Sequence, residues 1–263
     1  MTRKLGLRTP DVLAAARGGL DRIGRASLLA VAIARALPRP RTYLNSTLHQ
    51  AYVQGVRSLP LVMIMAALGG AVIARQAATQ FQGGVPLWVV GSMAAASVIT
   101  ELGPVLTALV LIGRLGASIA AELGTMKVTE QIDALYAVGR DPVTFLVVPR
   151  VLGSLLVVPA LVVIANLVGI VAAWVVGVAS IDGLTTAGFV YGMRWYFRPW
   201  ALWFSVIKAG IFGVTITYLA CFIGLEGKGG AEGVGRTTTA AVVATTLAIM
   251  IWDVVLVPLL GAF

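Results

Sequence analysis

Charged side chains are scarce in this sequence: 12% of its 263 residues, against 59% hydrophobic. A soluble domain carries about 25% charged and 45–50% apolar residues, so the deficit excludes a water-soluble core. A single cysteine, Cys221, provides no disulfide framework, and with a single histidine, His49, there is no cysteine–histidine metal cluster. Cys221 sits in an apolar run and reads as a small packing residue, His49 as an interfacial one before the first span. Period-two alternation is missing as well. Stretches such as 151–178 and 240–260 are continuously apolar, which excludes an outer-membrane barrel. The N-terminus is basic but lacks the short apolar core and small-residue cleavage site of a signal peptide. A phosphate-binding loop is also absent. The nearest match, Gly224-Leu-Glu-Gly-Lys-Gly-Gly, has the wrong spacing and no hydroxyl after the lysine. Gly233-Val-Gly235 fails the dinucleotide pattern, and both read as a flexible turn.

What is present is hydrocarbon. Mean hydropathy is +0.93. A bilayer core about 30 Å thick is crossed by about 20 helical residues. Five apolar stretches meet that length, at 52–80, 86–115, 143–179, 200–224 and 237–260. The third exceeds one crossing and is expected to tilt, kink or project, with Pro149 and Pro159 as kink points. Ahead of them, 11–37 reads as an amphipathic helix in the membrane interface. Val12, Leu13, Ala16, Leu20, Ile23, Val31 and Ala34 share one face, while Arg17, Asp21, Arg22 and Arg25 share the other. Pro38 and Pro40 end it. The organisation is thus a basic segment, 1–50, followed by a membrane domain, 51–263.

The net charge is +9. A nucleic-acid binder can carry such an excess, but here no polar domain exists to hold a duplex. Basic residues gather in cytoplasmic segments of membrane proteins, and the distribution is uneven. Arg3, Lys4, Arg8, Arg17, Arg22, Arg25, Arg35, Arg39, Arg41 and Arg57 lead into the first span. Lys127, Arg140 and Arg150 follow the second, with Arg114 at its edge, and Lys228 and Arg236 follow the fourth. The other side has Arg75, Arg194 and Arg198. The bias places the N-terminus in the cytoplasm and the C-terminus outside.

Two groups of polar residues invite a functional reading. The link 117–139, ASIAAELGTMKVTEQIDALYAVG, carries Glu122, Lys127, Glu130 and Asp133, interrupted by Leu123, Met126, Ile132 and Leu135. It is either an ordinary polar loop or a short cytoplasmic helix bounded by Gly139 that a motor protein can grip. Asp141-Pro142 then supplies an N-cap and a first-turn proline for the third span. The second group is Glu101, Lys208 and Asp253, inside spans. A charge at mid-bilayer costs at least about 2.5–3.5 kcal/mol and calls for a partner. At a rise of about 1.5 Å per residue, Lys208 lies about 12 Å and Asp253 about 10 Å from the outer ends of their spans, and Glu101 about 20 Å along its own. Matched depth makes Lys208 and Asp253 candidate partners, as a structural ion pair or as the lining or gate of a lipid cavity. Glu101 leans towards function, because Pro104 cannot donate to the Thr100 carbonyl and so loosens the helix beside the charge.

Small residues recur every four positions at Gly113, Ala117 and Ala121, and at Gly116, Ala120 and Gly124. Such stripes let helices approach closely, within one chain or across a dimer. Trp195, Trp200, Trp203, Tyr191 and Tyr196 read as an aromatic belt at the outer end of the fourth span.

The block 101–135, ELGPVLTALVLIGRLGASIAAELGTMKVTEQIDAL, closely resembles the signature of the MlaE family of permeases. VGRDPVTFLVVPR and GRTTTAAVVATTLAIMIWDVV are similar to the same family, so the resemblance covers about 50 to 260. It implies an all-α membrane protein: an N-terminal interfacial amphipathic helix, five transmembrane helices, and a cytoplasmic coupling helix, 117–135, between the second and third spans. It implies the permease subunit of an ABC transporter in the bacterial inner membrane that moves phospholipids or related lipids. Two copies would pair and work with a cytoplasmic ATPase, which would hold ATP-Mg, and with an MCE-type substrate-binding protein. No covalent chemistry is expected of this chain. Glu101, Lys208 and Asp253 occupy positions that are charged in the family. The family often has a basic residue where Thr100 stands, so any ion pair made by that residue is expected to be absent. A proton-coupled secondary transporter using Glu101 and Asp253 as relays, or a non-transporting scaffold, are the rival readings. No internal repeat favours the former.

Overall fold

The computed structural model describes residues 9–80, 86–227 and 229–260. Residues 1–8, with Arg3, Lys4 and Arg8 of the basic leader, and Lys228 lie outside them, as do the side chains of Val12, Leu13, Ala16, Arg17 and Tyr196. The protein is an all-α membrane protein with five helices long and apolar enough to cross a bilayer. The elements are α1 (Thr9–Ala36), α2 (Pro40–Gln80), α3 (Trp88–Val128), α4 (Gln131–Ala137), α5 (Val143–Ser180), α6 (Thr186–Tyr196), α7 (Pro199–Leu225) and α8 (Gly230–Leu260). The spans are α2, α3, α5, α7 and α8.

α7 and much of α3 form the centre; α2, α5 and α8 each leave a stripe uncovered. Leu61, Ile64, Leu68 and Val72 are exposed on α2, Leu156, Val163 and Leu167 on α5, and Val243, Leu247, Ile251 and Val254 on α8. Spacings of three and four residues put each set on one helix face, and in a bilayer those faces meet acyl chains at no hydrophobic cost. The core between the helices joins Leu111, Leu115, Leu123, Val151, Val158, Phe212, Ile216 and Ile249. Cys221 is fully buried in it. Small residues allow the closest approaches. A Cβ on Gly70 would lie 1.9 Å from the Gly169 carbonyl oxygen, so α2 and α5 touch backbone to backbone there.

Several boundaries differ from those expected of the sequence. α2 begins at Pro40, not near 52, and its 41 residues reach about 60 Å at 1.5 Å per residue; polar residues on its first turns face protein, with Thr47, Gln54 and Ser58 buried. α3 continues to Val128, beyond the expected end at 115, because Ile119, Ala120, Leu123 and Gly124 are buried against α7 and α8. α6 has no counterpart among the expected elements. It is capped by the Thr185 side chain, which accepts from the Gly188 N–H at 3.1 Å, and it packs on the first turns of α3. Trp88 sits between Tyr191 and Trp195, ring centroids 5.7 and 6.1 Å away.

α1 also differs. Leu20, Ile23 and Val31 do point outwards, as an interfacial face requires. But its other side packs on the protein itself: Leu29 and Ile33 join the main core and Ala36 packs with Tyr43 and Val148. Arg25 pairs with Glu226 at 2.6 Å, and the Tyr218 hydroxyl donates to the Ala26 carbonyl. The helix is therefore clamped against the bundle as well as amphipathic. At the start of α5, Asp141 caps as its sequence suggests: its carboxylate accepts from the Val143 and Thr144 N–H groups, both at 3.2 Å.

Candidate functional site

Three π-helical turns interrupt the spans among the described residues: Val98–Leu102 and Ile112–Gly116 in α3, and Val143–Val147 at the start of α5. Two of them end two residues before a proline, Pro104 and Pro149. A proline has no N–H for the carbonyl four residues back and its ring clashes with it; widening the preceding turn relieves both problems. Pro159, by contrast, lies inside α5 with no break in the helix.

The first π turn holds Glu101. Lys208 of α7, fully buried, reaches across to it. Its ammonium donates to Glu101 Oε2 at 2.6 Å and to the Thr100 carbonyl at 3.2 Å. That carbonyl is the one which Pro104 leaves without its helical partner, so the lysine satisfies an acceptor that the proline frees. Asp253 Oδ1 of α8 lies 2.6 Å from the same nitrogen. Its angle is too poor for a hydrogen bond, and the oxygen accepts no other, so this contact is an ion pair held by proximity. An ammonium has three N–H bonds, and three oxygens surround this one. Phe204 and Phe212 stack on its remaining sides, ring centroids 5.3 and 5.9 Å from Nζ.

The depth match thus puts Lys208 beside Asp253, and the structure adds Glu101, which the one-dimensional reading treats separately. Thr100 does not leave the glutamate without a cation: Lys208 supplies it from another helix. The cluster ties α3, α7 and α8 together and holds two carboxylates for one ammonium. It is not sealed. The Glu101 side chain is 41% exposed, against 24% for Asp253 and none for Lys208. Glu101 opens onto a cavity of about 240 Å³ walled by Ala95, Ile99, Phe197, Trp200, Ala201 and Phe204, with Arg198 at its side.

A second polar cluster lies towards the end of the bundle that carries α1. Arg150, 3% exposed, pairs with Glu122 at 2.7 Å and donates to the Leu146 carbonyl at 2.6 Å. The Gln54 amide donates to the Arg150 carbonyl at 3.2 Å, and Arg114 donates to the Ser58 hydroxyl. In the sequence Arg114 and Arg150 read only as loop charges. The signal that could have singled them out is position: each lies within a helical run, where a bare guanidinium is costly.

The link 117–135 is not one helix lying across the membrane face. Its first part, to Val128, completes α3, and a separate helix, α4, follows. The break is at Glu130, whose φ of 60° is left-handed, a conformation costing a non-glycine residue of order 1–3 kcal/mol. Glu122 is engaged by Arg150, and Lys127 bridges the break to Asp133 at 3.1 Å. Glu130 is exposed and makes no ion pair among the described residues. Around it Val128, Tyr136 and Val138 are exposed, the last two at 60% and 73%.

One small-residue stripe is intramolecular: Ala120 is buried against Gly224, and Gly124 faces Val234 and Gly224. The other is open at Gly113, where an added side-chain carbon would meet nothing within 4 Å.

The described residues form a multi-pass helical bundle with a charged cluster at a broken helix, beside a cavity: the architecture of an integral membrane protein. Comparison with known proteins agrees: the family described as Permease MlaE matches residues 47–259, and the chain belongs to that family. A probable ABC transporter permease protein of Rickettsia felis is 39% identical over 87% of this chain and 88% of its own length. A probable ABC transporter permease protein of Synechocystis is 38% identical over 79% and 78%. An Arabidopsis thaliana protein, named trigalactosyldiacylglycerol 1, chloroplastic, is 34% identical over 82% of this chain and 61% of its own.

Proposed function

We propose that this chain is the permease subunit of an ABC transporter that moves phospholipids or related lipids, driven by ATP hydrolysis in a partner. The observation that carries the reading is the Glu101–Lys208–Asp253 cluster at the π turn beside a cavity with largely apolar walls and Arg198 at its side. Irregular backbone and charge at membrane depth are tolerated only against protein or a wet cavity. An amphiphile needs both a polar point and apolar walls. A lipid in the name of one relative supports the same substrate class. Two copies of the chain would enclose the pathway, and an MCE-type protein on the outer side would exchange lipid with it.

The ATPase, which would hold ATP-Mg, would dock on the surface around Glu130 and α4. An exposed carboxylate among exposed Val128, Tyr136 and Val138 suits a groove with a basic rim. Force applied there would reach the interior along α3, which stays helical from Val128 through a second π turn at Ile112–Gly116 to the one at Glu101. The salt bridge from Glu122 to Arg150 would carry it to α5. The location is the bacterial inner membrane, with the N-terminus cytoplasmic and the C-terminus outside, on the basic bias.

The experiment is reconstitution in proteoliposomes with the ATPase that co-purifies from native membranes. Lipid movement that needs ATP and that ATPase supports the reading. Movement driven by a proton gradient without the ATPase would favour a secondary transporter, and no movement with an unaltered ATPase rate would favour a scaffold.

A further inference from the structure

We propose that the corner between α6 and α7 is a phospholipid site, with the phosphate held between Arg194 and Arg198 and an acyl chain in the groove behind Phe197. This rests on the lipid reading above and adds where a headgroup is held. Two hollows flank the corner. One is the cavity beside Glu101, with Arg198 on its wall. The other is a groove of about 460 Å³ between α5, α6 and α7, lined by Val163, Leu167, Ile170, Met193 and Leu202, with Arg194 at its edge. Ile99 and Phe197 line both, so the Phe197 ring is the partition between them. Phe197 and Arg198 are the two extended residues between the helices, with ψ of 116° and 123°, and Pro199 fixes the start of α7.

Neither guanidinium forms an ion pair or hydrogen bond among the described residues, and both arginines are exposed. The carboxylates nearest in the membrane interior are engaged elsewhere: Glu101 and Asp253 by Lys208. Arg198 borders the cavity and Arg194 the groove, four residues apart on either side of Phe197; one anion at that partition would lie within reach of both flexible side chains, and a guanidinium fork suits a phosphate. A cationic ligand would be repelled, and a small soluble anion would make no use of the apolar groove. A phosphate carrying acyl chains satisfies both. The site lies at the end of the bundle opposite α1, beside Trp200 and Trp203, which are 40% and 63% exposed, as residues at a headgroup level are. A lipid held there has its chain on the open side of Phe197 and Glu101's cavity on the other, so rotation of that ring would join the two.

The test uses the purified chain in a neutral detergent and native mass spectrometry with two lipids of identical chains, phosphatidylglycerol and diacylglycerol. The wild type is expected to retain the phosphate lipid about ten-fold better, the ratio for roughly one charge-assisted contact. Inorganic phosphate at the same concentration should not displace it. The double variant Arg194→Gln/Arg198→Gln should bring the two lipids within about three-fold. Arg75→Gln, an exposed arginine elsewhere, should leave the preference intact. Leu167→Trp, at a position 65% exposed in the groove, should weaken both lipids. A preference that survives the double variant, or is lost equally in Arg75→Gln, overturns the assignment while leaving the lipid reading standing. A wild type that retains neither lipid overturns both.

Discussion

Replacing Lys208 by methionine is the most informative perturbation. Methionine keeps the length and the contacts with Phe204 and Phe212 but removes the charge. Two carboxylates, one of them 24% exposed and the other 41%, would then face each other and the Thr100 carbonyl with no cation. Breaking a buried ion pair from one side costs about 3–5 kcal/mol. Partial exposure of Glu101 lets water or a proton relieve part of that, so the lower end, about 3 kcal/mol, is expected. Asp253→Asn is different. It leaves Lys208 with Glu101 at 2.6 Å and Thr100 at 3.2 Å, balances one charge with one, and loses only an off-angle contact, so about 1 kcal/mol or less is expected. This asymmetry comes from the third member; a simple Lys208–Asp253 pair would make both single substitutions severe. The triple variant Lys208→Met/Glu101→Gln/Asp253→Asn removes every formal charge and should regain much of the loss. Unfolding in a mild detergent titrated with a denaturing one gives the three values, with size-exclusion profiles as a check on folding. Equal losses for Lys208→Met and Asp253→Asn, or no recovery in the triple variant, would refute the reasoning.

Glu101→Gln should likewise leave the fold intact, while reducing lipid transport at least ten-fold in proteoliposomes if the carboxylate acts in the pathway, a change of about 1.4 kcal/mol; full transport would show the charge to be dispensable. Glu130→Lys should weaken co-purification of the ATPase without affecting membrane insertion, whereas Glu122→Gln should lower stability instead, because it strands the buried Arg150. Gly70→Ala should cost about 1–3 kcal/mol or more, since its new carbon meets the Gly169 carbonyl; the same change at Gly113, with open space, should be neutral or stabilising in the isolated chain. In a Cys221→Ala background, a cysteine at Asp182 should react with an impermeant reagent added to spheroplasts and one at Gly139 should not; the reverse would invert the topology.

The class of the fold is legible in composition and in the order of its apolar runs. In hydrocarbon only helices or closed barrels satisfy the backbone; apolar runs without period-two alternation leave helices, and five stretches of sufficient length give the span count. Asp141-Pro142 is legible because an N-cap is a local device whose partners lie two and three residues on. Span boundaries are not. Whether α3 stops at 115 or continues to 128 depends on α7 and α8 offering Ala120 and Gly124 a surface, and no local pattern contains that. For the same reason 117–135 reads as one polar helix: its charges are visible in sequence, but Arg150's claim on Glu122 and the left-handed turn at Glu130 are not.

The candidate site divides the same way. Which groups are buried charges follows from the chain alone, since an ionisable residue inside an apolar run is anomalous wherever its neighbours lie. So does the freed Thr100 carbonyl, since Pro104 lacks an N–H. Who answers them follows only from packing. Thr100 and Glu101 are met by Lys208, 107 residues away from Glu101 in the chain, and the same ammonium serves Asp253. Depth along a helix axis can be counted from sequence, but rotation about that axis cannot be assigned when apolar residues surround the helix on all sides. Which of three buried charges face one another was therefore set by how α3, α7 and α8 pack.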